Sequence, residues 1–135
     1  AVPGLAFASA GVPALDEIKA ASVDGQRMVP LVERFSADLR ALEHVHDIRH
    51  GRARHEALEA FHAGWLQRLS EIDASTLGLE DRIDLLLFHR EIEYRQRRLA
   101  FERERFEEAT ALLPQIQPLL DLLGVGFSLV NLLDA

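Results

Sequence analysis

Cysteine is absent from this 135-residue chain. The sequence therefore contains no disulfide framework, thiolate metal site or cysteine nucleophile, and it leaves the redox compartment open. A cationic excess is missing as well, because 15 Lys and Arg face 22 Asp and Glu and the net charge is −7. Phosphate binding needs a concentrated cationic surface, so a nucleic-acid partner is not expected. The best basic cluster, RQRR at 95–98, is flanked by glutamates, which favours a solvated helix face over an anion site.

Long apolar runs are also scarce. The segment that comes nearest to a long apolar run is LLDLLGVGFSLVNLL at 119–133, and it is interrupted by glycines and by Asp121. Because a bilayer span needs ~20 clean apolar residues, we predict a core-facing or partner-facing segment rather than a membrane span. Its apolar interface candidates are Leu119, Leu122, Phe127 and Leu132.

The pattern of apolar residues predicts an all-α fold, a set of helical hairpins around one long central helix at about 79–113. Strand-like alternation is absent before residue 125. Residues 1–29 read as a leader with a short helix at about 14–23, residues 30–113 as a helical core and residues 114–135 as an apolar tail broken by Pro and Gly. Small residues near the start are spaced as in an A-x-A cleavage site, so an exported and a cytoplasmic location both stay open.

Two shorter helices precede the long one. The first is predicted from Pro30 to Gly51, since Pro is tolerated in a first turn and Gly ends the pattern. Its buried stripe would be Val32, Phe35, Leu39, Leu42 and His46. The second follows Gly51, ends before the loop DASTLG at 73–78, and would bury Leu58, Phe61, Trp65, Leu69 and Ile72.

The long helix has two apolar sides. Its first row recurs every seven residues at Leu85, Ile92, Leu99, Phe106 and Leu113, with Phe88 and Ala109 beside it. A second row, about 200° around the axis, holds Leu87, Tyr94 and Phe101. A helix with apolar residues on both sides needs neighbours on both, so we predict that this second row is an interface. Trp65 and Tyr94 are expected in the core rather than on a ligand-binding surface.

The histidines suggest a metal site. In a di-iron carboxylate bundle, two of the helices each provide an E-x-x-H pair of metal ligands, and this chain has two such pairs. The two pairs are Glu43 with His46 and Glu59 with His62, and Glu33 with Glu91 or Glu93 would complete the set. Surface histidines, or a hydrogen-bonded core His46, are the alternatives.

Other catalytic patterns are missing. The sequence RHEAL at 54–58 is followed by Glu59 where H-E-x-x-H requires histidine. None of the serines lies in a G-x-S-x-G context, and GVG at 124–126 lacks the strand and third glycine of a dinucleotide loop. We assign no catalytic or cofactor-binding residue.

The segment RARHEALEAFHAGWLQRLSEIDASTLGLEDRIDLLLFHREIEYRQRRLAFERERFEEATALLP, residues 52–114, contains the blocks WLQRLSEID and RIDLLLFHREIEY and a final LLP. It resembles the amino-terminal helical region of the bacterial domain of unknown function 885 family. The likeness covers roughly residues 31–114, about the first quarter of a typical member. After Pro114 the chain departs from the charged helix that is usual there.

That resemblance implies a large helical protein similar to zinc metallopeptidases, with H-E-x-x-H far downstream. It places zinc only in that remainder and transfers no catalytic or metal-binding residue to this chain. We therefore expect a noncatalytic scaffold or lid segment of a metallopeptidase-like protein, covered by the remainder of a larger polypeptide. A free-standing helical module that self-associates or binds a partner is the first alternative, and a metal-carboxylate bundle enzyme is the second.

Overall fold

The computed structural model describes residues 27–125, which form an all-α fold, as predicted. Within this range the one β-type feature is an isolated antiparallel bridge between Gly51 and Val125. The elements are α1 Met28–Val45, α2 Arg52–Ser70, a 3-10 turn Ala74–Thr76, α3 Leu79–Ala111, a second 3-10 turn Pro114–Ile116 and α4 Gln117–Leu122. The short helix expected at 14–23, with Phe127 and Leu132 of the tail, lies outside the described residues.

Helix α1 begins two residues before Pro30, which therefore sits in the first turn where its missing N–H costs nothing. Its N-cap residue, Arg27, provides no side-chain cap. The carboxylate of Asp81 in α3 takes that role, accepting hydrogen bonds from the backbone N–H of Arg27 at 3.1 and 3.2 Å and of Met28 at 3.3 Å. This cap satisfies backbone donors at the start of α1 and ties that end to the start of α3.

The predicted end of α1 was wrong: the helix ends at Val45, not at Gly51. Residues 46–50 form a loop in which the N–H of Gly51 donates to the carbonyl oxygen of Ile48 at 2.9 Å. A side chain at Gly51 would lie 3.0 Å from that oxygen, so glycine permits the tight approach. His46 is the C-cap and is half-buried outside the core.

The buried face of α1 differs from the predicted stripe at its start as well as at His46. Val32 is exposed, and Leu31 is buried in its place. Helical spacing explains the correction, since a run of 28, 31, 35 and 39 keeps one face, and Val32 lies about 100° away from Leu31.

Helix α2 and the first half of α3 build the rest of the core. Trp65 and Ile92 are completely buried, and Phe35 packs against Phe61 and Phe88 with ring centroids 5.2 Å apart in both pairs. The core also contains Leu58 and Leu69 as predicted, with Ile72, Leu85 and Leu99 partly buried around it.

Helix α3 has 33 residues and is about 50 Å long. Pro114 disfavours helical geometry at Leu113, so the helix ends at Ala111 instead of continuing to Leu113. Leu113 and Ala109, expected on the buried side, are exposed. Tyr94, expected in the core, is exposed as well, because no element within 27–125 covers its side of α3.

Candidate functional site: a basic cleft and an apolar row

A cleft of about 220 Å³ lies between α2 and the second half of α3. The end of α1 and the loop before Gly51 contribute Leu39, Glu43 and Arg49 to its wall. At the rim, the His50 ring stacks on Phe106 with centroids 4.9 Å apart. The cleft thus collects residues from three helices and one loop.

Arginines give this cleft its charge. Five line it, Arg49, Arg54, Arg95, Arg98 and Arg103, against the two carboxylates of Glu43 and Glu102. Arg95 and Arg98 come from the RQRR cluster; both are exposed, in keeping with a solvated face, and both also line the cleft. Residues 95, 98, 99, 102, 103 and 106 are three or four apart, so they share one side of α3.

Arg54 links α2 to the end of α1 through a hydrogen bond and an ion pair. Its guanidinium donates to the carbonyl oxygen of His46 at 2.9 Å and forms an ion pair with Glu43 at 3.1 Å. One carbonyl and one carboxylate at the helix end are satisfied together. Glu43 is therefore an ion-pair partner rather than a side chain directed at His46.

His62 is the most unusual polar residue of the cleft. It is 4% exposed, and no protein group within 27–125 hydrogen-bonds to either of its ring nitrogens. Phe35 and Phe61 flank the ring at centroid distances of 6.2 and 5.8 Å. Burial, reinforced by the positive charge of Arg95, lowers the pKa of His62 to about 4, so the imidazole is neutral at pH 7.

His55 lies one turn from the start of α2 and is also buried. Its Nε2 is 3.9 Å from a carboxylate oxygen of Glu59. Burial lowers the pKa of His55, an effect that Glu59 opposes. The two buried histidines of α2 therefore favour the uncharged form.

The predicted metal residues do not meet in one place. Glu43 and His62 line the cleft, whereas His46 and Glu59 are not among its lining residues. Within 27–125 there is no group of three or more His, Asp or Glu side chains placed to hold a metal ion. Of the completing candidates, Glu93 pairs with Arg90 at 3.0 Å and Glu91 with Arg95 at 2.7 Å, both along α3 itself.

The apolar row lies on another side of α3. We use this name for Leu87, Tyr94 and Phe101, which are 61, 54 and 53% exposed. Leu119 and Leu122 of the tail are exposed too. Near Leu87 the row continues into a shallow groove of about 430 Å³, to which Val29 and Val32 of α1 contribute.

Within residues 27–125, none of the helices is both long enough and apolar enough to cross a membrane.

Comparison with known proteins gives no relative: no protein-family model, curated protein or solved structure matches the chain. The resemblance to the domain of unknown function 885 family therefore stays a prediction. What the site can do follows from its own residues alone.

The sequence analysis named His62 as a metal candidate but did not predict that His55 and His62 are buried. A signal for them was present, because 55, 58, 62, 65 and 69 follow the three-and-four spacing of the buried side of α2. The RQRR cluster was a local signal for Arg95 and Arg98, but only the docking of α3 on α2 brings them together with Arg49 and Arg54.

Proposed function

We propose that this chain is a noncatalytic helical scaffold, part of a larger metallopeptidase-like protein, and that the apolar row is where the rest of that polypeptide packs. The observation that carries the proposal is the contrast between two sides of one helix. Ile92 is fully buried on one side of α3, while more than half of each side chain in the apolar row is exposed on the other.

Energetics favour covering the row. Burying a large apolar side chain completely contributes about 1.5–3 kcal/mol. Because each member of the row is already half-covered, a partner surface would add roughly 1 kcal/mol per residue. The gain extends into the groove beside Leu87, where Val29 and Val32 are also exposed.

The surroundings of the row resemble the rim of an interface. Charged residues on both flanks already pair within α3, as in Arg98 with Glu102 at 3.0 Å. Arg105 also lies over the Phe101 ring, 5.0 Å from its centroid. An apolar centre with a satisfied polar rim is the usual anatomy of a protein interface.

Solution behaviour of the chain tests this proposal. A variant with glutamine at all three positions of the row should bind less of a hydrophobic dye and associate less, without losing thermal stability. Sedimentation at several concentrations and dye fluorescence measure the two effects. The matched control changes a polar row of the same helix with the same seven-residue spacing, Arg90→Gln, Arg97→Gln and Glu104→Gln.

A parent chain that stays monomeric at high concentration and binds no dye would contradict the proposal. Formation of a defined dimer that the glutamine variant abolishes would instead favour the self-associating module.

A further inference from the structure

We infer that the basic cleft between α2 and α3 is a binding site for a small organic oxyanion, a carboxylate or phosphate monoester that carries an apolar group. This goes beyond the scaffold role and uses a different side of α3, about 100° around the axis from the apolar row.

The charge balance inside the cleft favours an anion. Glu43 pairs with Arg54, and Glu102 pairs with Arg98, so the two lining carboxylates offset two of the five arginines. The partners of Arg95 and Arg103, Glu91 and Glu107, are not among the lining residues. An excess of positive charge therefore faces the cleft of a chain whose net charge is −7.

A bound anion can replace the glutamate partners of two cleft arginines. Arg95 with Glu91 and Arg103 with Glu107 are exposed pairs between neighbouring turns of one helix. Such pairs contribute little to stability, so a guanidinium can turn from its glutamate to a bound oxyanion at small cost. Planar guanidinium groups also match carboxylate and phosphate oxygens in pairs.

His62 is the second, independent observation. Its neutral imidazole has one N–H donor and one acceptor nitrogen, it lines the cleft, and no protein group within 27–125 satisfies either nitrogen. Buried polar groups in proteins nearly always have a hydrogen-bond partner. An oxyanion held by Arg95 would supply an acceptor for the His62 N–H.

The walls and size define the rest of the ligand. Leu39, Leu58 and Leu99 line the cleft and provide an apolar surface, and Phe106 stands at the rim. A volume of about 220 Å³ is below the ~300–1,000 Å³ of pockets for drug-sized molecules. A single ring or a short alkyl chain with one acidic head fits this description.

Calorimetric titration of the whole chain tests the inference with four probes: benzoate, phenyl phosphate, inorganic phosphate and benzyl alcohol. Benzoate or phenyl phosphate should bind saturably and at least about tenfold more tightly than the other two. Which of the two organic anions binds more tightly identifies the preferred head group. In the Arg95→Gln variant the affinity should fall about ten- to hundredfold, because a hydrogen bond to a charged group is lost.

Arg97→Gln is the matched control, two residues away on the same helix and not among the cleft residues. Its affinity should equal that of the parent chain. Nitrogen NMR of the histidine rings adds a site-specific measurement: benzoate should shift the His62 signals and leave those of His44, exposed on α1, unchanged.

Three results would overturn the inference. One is the lack of saturable binding by either organic anion. Another is an equal loss of affinity in Arg95→Gln and Arg97→Gln, which would indicate nonspecific attraction. The third is equal affinity for benzyl alcohol and benzoate, or for inorganic phosphate and phenyl phosphate.

Discussion

Replacing His62 by leucine should change how the stability of the fold depends on pH. In the folded chain the pKa of His62 is lowered to about 4, whereas an unfolded histidine titrates near 6.5. As pH falls between these values, the unfolded chain binds a proton that the folded chain does not. The free energy of unfolding therefore decreases with falling pH throughout this window and levels off below the folded pKa.

The size of this effect follows from the two pKa values. One pKa unit corresponds to about 1.4 kcal/mol, so the complete loss is about 3 kcal/mol, and at pH 4.5 it is about 2.5 kcal/mol. Leucine has a similar volume and binds no proton. Relative to the parent, His62→Leu should gain that amount of stability between pH 7 and pH 4.5.

Urea unfolding followed by Trp65 fluorescence measures this difference, since the chain has one tryptophan and it is fully buried. Buffers should contain neither carboxylates nor phosphates. His44→Gln, an exposed substitution on α1, is the control and should leave the pH profile of the parent unchanged. If the difference in unfolding free energy between His62→Leu and the parent stays constant from pH 7 to pH 4.5, the conclusion that His62 is buried in its neutral form would be refuted.

Two further substitutions test the packing of α3. Ile92→Ala should destabilise the fold by about 2–5 kcal/mol because it opens a cavity at a fully buried position. Ile83 is half-exposed on the same helix, so Ile83→Ala should cost less than about 1 kcal/mol. Equal costs in chemical denaturation would contradict the assigned core. Asp81→Ala should cost about 1–3 kcal/mol because the first N–H groups of α1 lose their acceptor. Its neighbour Glu80 is exposed, so Glu80→Gln should leave the melting temperature nearly unchanged, and a similar loss in both variants would argue against the cap.

Local periodicity was enough to predict the α-helices of the core. In α2 the residues Leu58, Phe61, Trp65 and Leu69 are buried as their spacing requires. In α1, Val32 and Leu31 are both apolar and adjacent, so the pattern left the choice between two faces to tertiary packing, and the prediction chose wrongly. Tyr94 was expected in the core but is exposed, because spacing along α3 cannot show whether an element within residues 27–125 covers its side.

Long-range features could not be read from local patterns. The cap on α1 comes from Asp81, more than fifty residues away in sequence. The cleft combines arginines of α3 with histidines of α2, and neither set is distinctive by itself. Spacing along one helix can indicate which residues share a side, but it cannot indicate which other helix that side meets.

The most direct test of the scaffold proposal is photo-crosslinking from the apolar row. A benzophenone amino acid would replace Tyr94 in the product of the complete open reading frame, with the same replacement at Arg97 as the control, and mass spectrometry would identify the captured peptide. The proposal predicts capture from Tyr94, but not from Arg97, of a segment of the same polypeptide that lies outside residues 1–135. Absence of any crosslink from Tyr94, or capture only of a second copy, would contradict it.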